Sequence, residues 1–366
     1  MKIAVVGAGI VGATCAYYLS KEDVELKVFD YGLGQATKAS AGIISPWFSK
    51  RRNKAWYKMA RMGAEFYLKL VKDLKNDGYS TDFYKQTGVY ILKKDESKLQ
   101  YLLSLAESRR EVSAMIGDLK IVSKEDIKKN IPDFTGANYA LYASGGGRIE
   151  GELFVKTLLE AAKVEVINKK VTLEIQQDKY IVDNEEFDKV ILCTGAWLKE
   201  ILEPLNFEVD VRPQKGQLRD YQISDSKSGT YPVIMPEGEL DIIPFENGFL
   251  SMGASHENNM GFDLSVDKDL LNKFEEEATN FLPTLKKARV INERVGIRAY
   301  TNDFSVFYGL VPGEKNLFVA SGLGSSGLTT GGIIAYNLAM LAVGKEELLD
   351  SSDYPTSRYI RKIKKF

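Results

Sequence analysis

Apolar and polar positions recur along this chain with two periods, and the clearest block is the first. Ile3 to Val6 is an unbroken apolar run, suited to a strand buried on both faces of a parallel sheet. Ala13 to Ser20 predicts a helix, and Val24 to Phe29 predicts a second strand that ends at Asp30. Further on, Trp56 to Leu74 carries apolar residues at helical spacing, with Gly78 as its stop. Thr87 to Leu92 and Ala140 to Ala143 read as strands, and Glu96 to Arg109 and Lys124 to Lys129 as helices. A helix over Glu152 to Ala162 and a strand over Val164 to Ile167 follow. Val171 to Gln176 and Tyr180 to Asp183 predict a hairpin, and Val190 to Cys193 a buried strand. Strands are predicted over Gly216 to Ile223, Leu240 to Pro244 and Gly248 to Gly253, then a helix over Asp267 to Phe281. The last block is a strand, Leu317 to Ala320, a glycine-rich turn and a helix to Val343.

The junction after the first strand carries chemistry. Gly7, Gly9 and Gly12 form G-x-G-x-x-G between a strand and a helix, with the acid Asp30 about 20 residues on, the context that makes this motif informative. Gly7 permits the tight turn, Gly9 lets the backbone approach a pyrophosphate, and Gly12 lets helix and strand pack closely. Free N–H groups at the helix start favour phosphate, and Asp30 can accept hydrogen bonds from a ribose diol.

The loop from Gly32 to Trp47 is long and rich in small residues, which suits a flat ligand against the backbone. Lys50, Arg51, Arg52 and Lys54 read as a solvated charge run. Gly145 to Gly147 read as a turn between domains. Residues 80 to 144 contain no second βαβ unit, and residues 207 to 300 are strand-rich. The expected architecture is α/β: a Rossmann-like domain (1–80, 145–205 and 301–366) interrupted by a mixed α+β substrate-binding domain (81–144 and 206–300) with a large antiparallel sheet. Such threading suits the elongated cofactor FAD better than a nicotinamide nucleotide.

Composition narrows the classes. A formal net charge of -1 gives no electrostatic footprint for nucleic acid. Two cysteines, Cys15 and Cys193, cannot make a disulfide framework or a cysteine-rich metal site and read as small core residues. No secretory signal and no spanning segment is read, so a cytoplasmic protein is expected, with room for peripheral membrane contact. The basic run from Arg358 to Phe366 reads as a solvated tail. His256, the only histidine, reads as an exposed loop residue. From spacing alone, Arg298 reads as a structural arginine paired with Asp303 or Glu293.

Nearly the whole chain resembles the D-amino-acid oxidase-like flavoproteins, which include glycine oxidases, sarcosine oxidases and D-amino-acid dehydrogenases. The resemblance rests on GAGIVGATCAYYL at the start, SAGII at Ser40 to Ile44 and GGGRIEGELFVKTL at Gly145 to Leu158. It continues through VILCTGAW at Val190 to Trp197, RPQKGQL at Arg212 to Leu218 and FLSMGASHE at Phe249 to Glu257. It ends with ERVGIRAYTND at Glu293 to Asp303 and LFVASGLGSSGLTTGG at Leu317 to Gly332.

The resemblance implies FAD, a carboxylate-bearing amine or amino acid as substrate, hydride transfer to the flavin, and oxygen or another electron acceptor. Gly7, Gly9, Ile10, Val11 and Gly12 would hold the pyrophosphate and Asp30 the ribose. Ser40, Ala41, Gly42, Ile43 and Ile44 would run beside the flavin, and Val171 would touch the adenine side. Thr194, Gly195 and Trp197 would line the cofactor. Gly324, Ser325, Ser326, Gly327, Leu328 and Thr329 would face the pyrimidine edge of the ring. Arg298 would clamp the substrate carboxylate as the catalytic residue, and Tyr300 would shape the pocket.

Two departures qualify the resemblance. Relatives that tether FAD place a cysteine just before a Tyr-Thr pair, whereas Ala299 precedes Tyr300 and Thr301 here, so the FAD is expected to be non-covalent. Ser251 stands where oxygen-using relatives carry a lysine, which predicts slow reaction with oxygen. A small D-amino acid or glycine-like amine would be oxidised to an imine, then hydrolysed to keto acid and ammonia. Two other readings remain: an NAD(P)-dependent dehydrogenase, and a non-catalytic flavin-fold binding protein.

Overall fold

Two large sheets share the chain in the computed structural model, which describes residues 1–51, 53–177 and 179–363. Arg52 of the charge run and residues 364–366 of the basic C-terminal run lie outside the described residues. The first sheet has six strands. Lys2–Val6 lies inside it, parallel to Lys189–Leu192 on one side and to Glu25–Asp30 on the other. Leu317–Ser321 and Val166–Asn168 extend it in parallel, and Phe307–Leu310 closes one edge antiparallel. The near-continuous apolar strands fit this, because helices cover them. The helix Ile10–Leu19 is buried at every residue and packs against Gly151–Ala162 and Gly327–Ala342.

The second sheet has eight strands and draws from both remaining segments. Val89–Ile91, Leu119–Ser123 and Tyr139–Ala143 join Arg212–Gln222, Val233–Met235, Asp241–Pro244, Phe249–Gly253 and Arg289–Tyr300. The two-domain division that we propose follows these two sheets.

Some elements differ from expectation for visible reasons. The first helix begins at Ile10, not Ala13, because the Thr37 hydroxyl accepts the Ile10 N–H at 2.9 Å. The strand expected from Gly216 begins at Arg212, since it pairs along its whole length with Arg289–Tyr300. That partner strand escapes the apolar pattern because it is an edge strand whose first half is exposed. The C-terminal run is not simply a tail: Ile360–Lys362 pairs with Phe207–Val209, and Tyr359 and Ile360 are buried. Among the described residues, no helix is long and apolar enough to cross a membrane.

Candidate active site

The glycine motif folds as a strand, a tight turn and a helix. At Gly7 the backbone has φ +98°, and a Cβ there would lie 2.4 Å from the Cys193 carbonyl oxygen. Gly12 faces inward, where a Cβ would sit 1.7 Å from the Gly7 carbonyl oxygen. Asp30 braces this turn. Its Oδ1 accepts the Ala8 N–H at 3.0 Å, and its Oδ2 accepts the Gln35 side-chain amide.

Above this turn, at the carboxyl ends of the parallel strands, opens a cavity of about 870 Å³ that continues to the face of the second sheet. This is where open α/β sheets bind ligands. Gly7, Gly9, Ile10, Val11 and Asp30 line it, as do Ser40, Ala41, Gly42 and Ile43. Val171, Thr194, Gly195 and Trp197 line it too, together with Gly324 to Thr329 and Arg298.

Three expected site residues stand back from it. Gly12 serves helix packing. Ile44 is fully buried in the core because its side chain points away from that of Ile43. The Tyr300 ring packs under Gly324, and its hydroxyl accepts the Ser325 N–H at 2.9 Å, so it supports the loop that lines the cavity. Ser251 is also elsewhere. It is buried, donates to Asp220 Oδ1 at 2.6 Å and accepts from Arg294 at 2.8 Å, so the expectation about oxygen loses its structural ground at that position. Cys15 is core, as expected. Cys193 lines the cavity but has the Cys15 thiol as its neighbour.

Arg298 pairs with neither Asp303 nor Glu293. Asp303 accepts from Thr301, Ser305 and Tyr359, and Glu293 pairs with Arg219. Arg298 Nη1 donates to the Ser255 carbonyl at 2.7 Å and to Gln214 Oε1 at 3.3 Å. Burial holds its pKa below the usual range, against the pull of Tyr300, Glu239 and Glu257. A cation so desolvated attracts an anion strongly. His256 lines the same part of the cavity. Its side chain is 38% exposed, and its Nδ1 lies 3.2 Å from Glu239 Oε1. Partial burial and then the Arg298 charge lower its pKa, so the ring is neutral at pH 7.

Several cavity groups were not singled out from sequence. Thr37 and Gln35 brace the motif from the loop whose small residues suit a flat ligand. Lys93, Glu239 and Asp241 line the cavity from strand ends and a turn of the second sheet. Their signal was weak: two acids at alternate positions running into an apolar strand.

The residues fit a dinucleotide. Thr194 Oγ1 and Gln35 Oε1 are buried in the cavity lining without any partner, which leaves polar atoms for a ligand to satisfy. The N-cap residue Gly9 offers no side chain to the helix Ile10–Leu19, Thr37 takes only the Ile10 N–H, and no acid occupies the first turn. With Asp30 beside it, that end suits a pyrophosphate and a ribose.

Comparisons with known proteins agree. The chain is 38% identical over 360 residues to the uncharacterized oxidoreductase YurR of Bacillus subtilis, covering 96% of this chain and 97% of that one. It is 25% identical to a glycine oxidase of Pseudomonas putida, over 96% of this chain and 97% of the relative. The crystal structure of iminodiacetate oxidase from Chelativorans sp. BNC1 superposes with a TM-score of 0.90 at 27% identity, covering 98% of each chain. Residues 2–341 match the DAO family model, described as FAD dependent oxidoreductase, which decides between FAD and a nicotinamide nucleotide. With fold, cavity and motif in agreement, the chain belongs to the DAO family of FAD-dependent oxidoreductases.

Proposed function

We propose that this enzyme oxidises a small carboxylate-bearing amine, a D-amino acid or a glycine-like amine, to an imine. Water then converts the imine to a keto acid and ammonia, or to a keto acid and a primary amine where the nitrogen is substituted. Bound FAD supplies the two-electron acceptor, and oxygen or another acceptor takes the electrons onward. The observation that carries this reading is Arg298, a desolvated guanidinium in the cavity wall that no carboxylate of the protein pairs with among the described residues. Its planar fork matches a carboxylate in two parallel hydrogen bonds. Anchoring the carboxylate fixes the neighbouring carbon and its hydrogen, so orientation is the contribution of the chain. The relatives named glycine oxidase and iminodiacetate oxidase act on compounds that carry both an amine and a carboxylate, which supports the same class.

The cofactor contacts follow the cavity. Gly7 to Val11 and Asp30 would hold the pyrophosphate and ribose, and Val171 the adenine side. Ser40 to Ile43 with Thr194, Gly195 and Trp197 would flank the isoalloxazine path, and Gly324 to Thr329 would meet its pyrimidine edge. The FAD is non-covalent in this reading, because no cysteine precedes Tyr300 and the two thiols face each other.

An anaerobic screen of D-amino acids, glycine and N-substituted glycines for bleaching of the yellow holoenzyme tests the proposal. Bleaching by carboxylate-bearing amines is expected. Bleaching only by amines without a carboxylate would overturn it.

A further inference from the structure

Two charged side chains in the cavity wall are unused by the reading above. Lys93 follows the strand Val89–Ile91, and Asp241 opens the strand Asp241–Pro244. Both line the cavity, and neither makes an ion pair or a side-chain hydrogen bond among the described residues. They feel each other's charge, and both face the cavity where a ligand can reach them. We infer that Lys93 and Asp241 form a second anion subsite, separate from Arg298, and that the substrate is an amine bearing two carboxylates. This rests on the reading of Arg298 as the clamp for the first carboxylate.

The charge count favours an anion over a cation. Burial pushes the Asp241 carboxyl up to about 8 even though Lys93 opposes the shift, so at pH 7 it is an O–H donor. Lys93 then supplies the charge. The other groups facing Lys93 are Glu237, Lys50 and Lys98, and Glu237 is already paired with Lys98 at 2.8 Å. Lys50 and Lys93 are therefore left as unbalanced cations beside a neutral acid. A distal carboxylate would accept from the Lys93 ammonium and from the Asp241 hydroxyl. Arg298 lies on another strand, Arg289–Tyr300, and has other charged neighbours, Glu239 and Glu257. The amine would lie between the two anchors. Iminodicarboxylic and aminodicarboxylic acids have this form.

The sign of the pH dependence follows. Burial lowers the Lys93 pKa and raises that of Asp241. As pH rises, the ammonium loses its proton and the acid becomes an anion, and both changes weaken dicarboxylate binding.

Non-oxidisable ligands give a readout independent of turnover. The holoenzyme is titrated with succinate, glutarate and adipate, and with the matching monocarboxylates, following the flavin spectrum. At pH 7 the best dicarboxylate should bind about tenfold or more tighter than its monocarboxylate, the worth of one charge-assisted contact. Lys93→Met should bring that ratio to about one while leaving monocarboxylate Kd unchanged. Asp241→Asn should retain most of the preference at pH 7, because the amide still donates, and should flatten its fall above pH 8. Monocarboxylate binding with no dicarboxylate preference, or a preference that survives Lys93→Met, would overturn the subsite alone. Failure of the wild type to bind either class would overturn the Arg298 reading and the subsite with it.

Discussion

Arg298 donates through Nη1 to the carbonyl oxygen of Ser255 at 2.7 Å. That bond fixes one edge of the guanidinium to the backbone, while its Nε and Nη2 make no hydrogen bond to the protein among the described residues. An arginine held by one edge is pre-oriented, so little rotamer freedom remains to be lost when a carboxylate binds. Arg298→Ala should raise KM strongly and lower kcat, since the clamp both binds and aligns. The loss in kcat/KM should be on the order of 2–5 kcal/mol, as for a buried charged pair. Arg298→Lys should recover only part. Steady-state kinetics with an amino acid and with its decarboxylated amine checks this; equal losses for both would make Arg298 structural.

Asp30 joins two jobs in one carboxylate. Its carboxylate braces the Gly7–Gly9 turn through Ala8 and Gln35, and its place beside that turn suits the ribose. Asp30→Ala should weaken FAD binding by roughly 1.5–3 kcal/mol, the worth of charge-assisted hydrogen bonds. Fluorescence titration of apoprotein with FAD measures it, and unchanged affinity would remove Asp30 from the site. Heat or acid should release the flavin from the wild type. Yellow colour left with the precipitated chain would refute non-covalent binding.

The first block of sequence was legible because its determinants are local. An apolar run, three glycines and an acid each act within a few residues, and the turn, the helix and Asp30 came out close to expectation. Gly9 and Gly12 show how far local reading goes: the one lines the cavity and the other packs, as their spacing implies. Arg298 was harder. Its strand, Arg289–Tyr300, carries polar residues through an edge position, so the pattern hides it, and only the motif around it marked the residue. Thr37 caps a helix 27 residues away, and Lys93 meets Asp241 only because two distant strands bring their ends to one cavity. Such meetings are set by sheet order, which periodicity does not encode.

His256 bears on the pH profile. An amino acid in water carries an ammonium, whereas oxidation needs the neutral amine. Flavin reduction at low substrate should therefore quicken as pH rises toward the amine pKa. His256 has its pKa lowered by burial and then by Arg298, so it stays uncharged across that range. His256→Asn should leave the slope between pH 6.5 and 8.5 unchanged, about that window being set by the ordinary imidazole value. Stopped-flow reduction under anaerobic conditions is the measurement, and a slope lost in the variant would make the imidazole a base.

Asp241 should also be visible in stability. Its carboxyl titrates at about 8 in the folded chain against an ordinary value of 3.8, because burial disfavours the charged form. Between those values the folded state keeps a proton that the unfolded state has released. Stability must then fall as pH rises through that interval and level off above it. Asp241→Asn removes the titration. The variant should match the wild type near pH 4 and exceed it increasingly toward pH 8, by about 1.4 kcal/mol for each pH unit between the two values. Thermal melts of wild type and variant across this range, at saturating FAD, give the difference at each pH. A constant difference from pH 4 to 8 would mean that Asp241 ionises normally in the folded protein, and its role as a hydroxyl donor to substrate would fall.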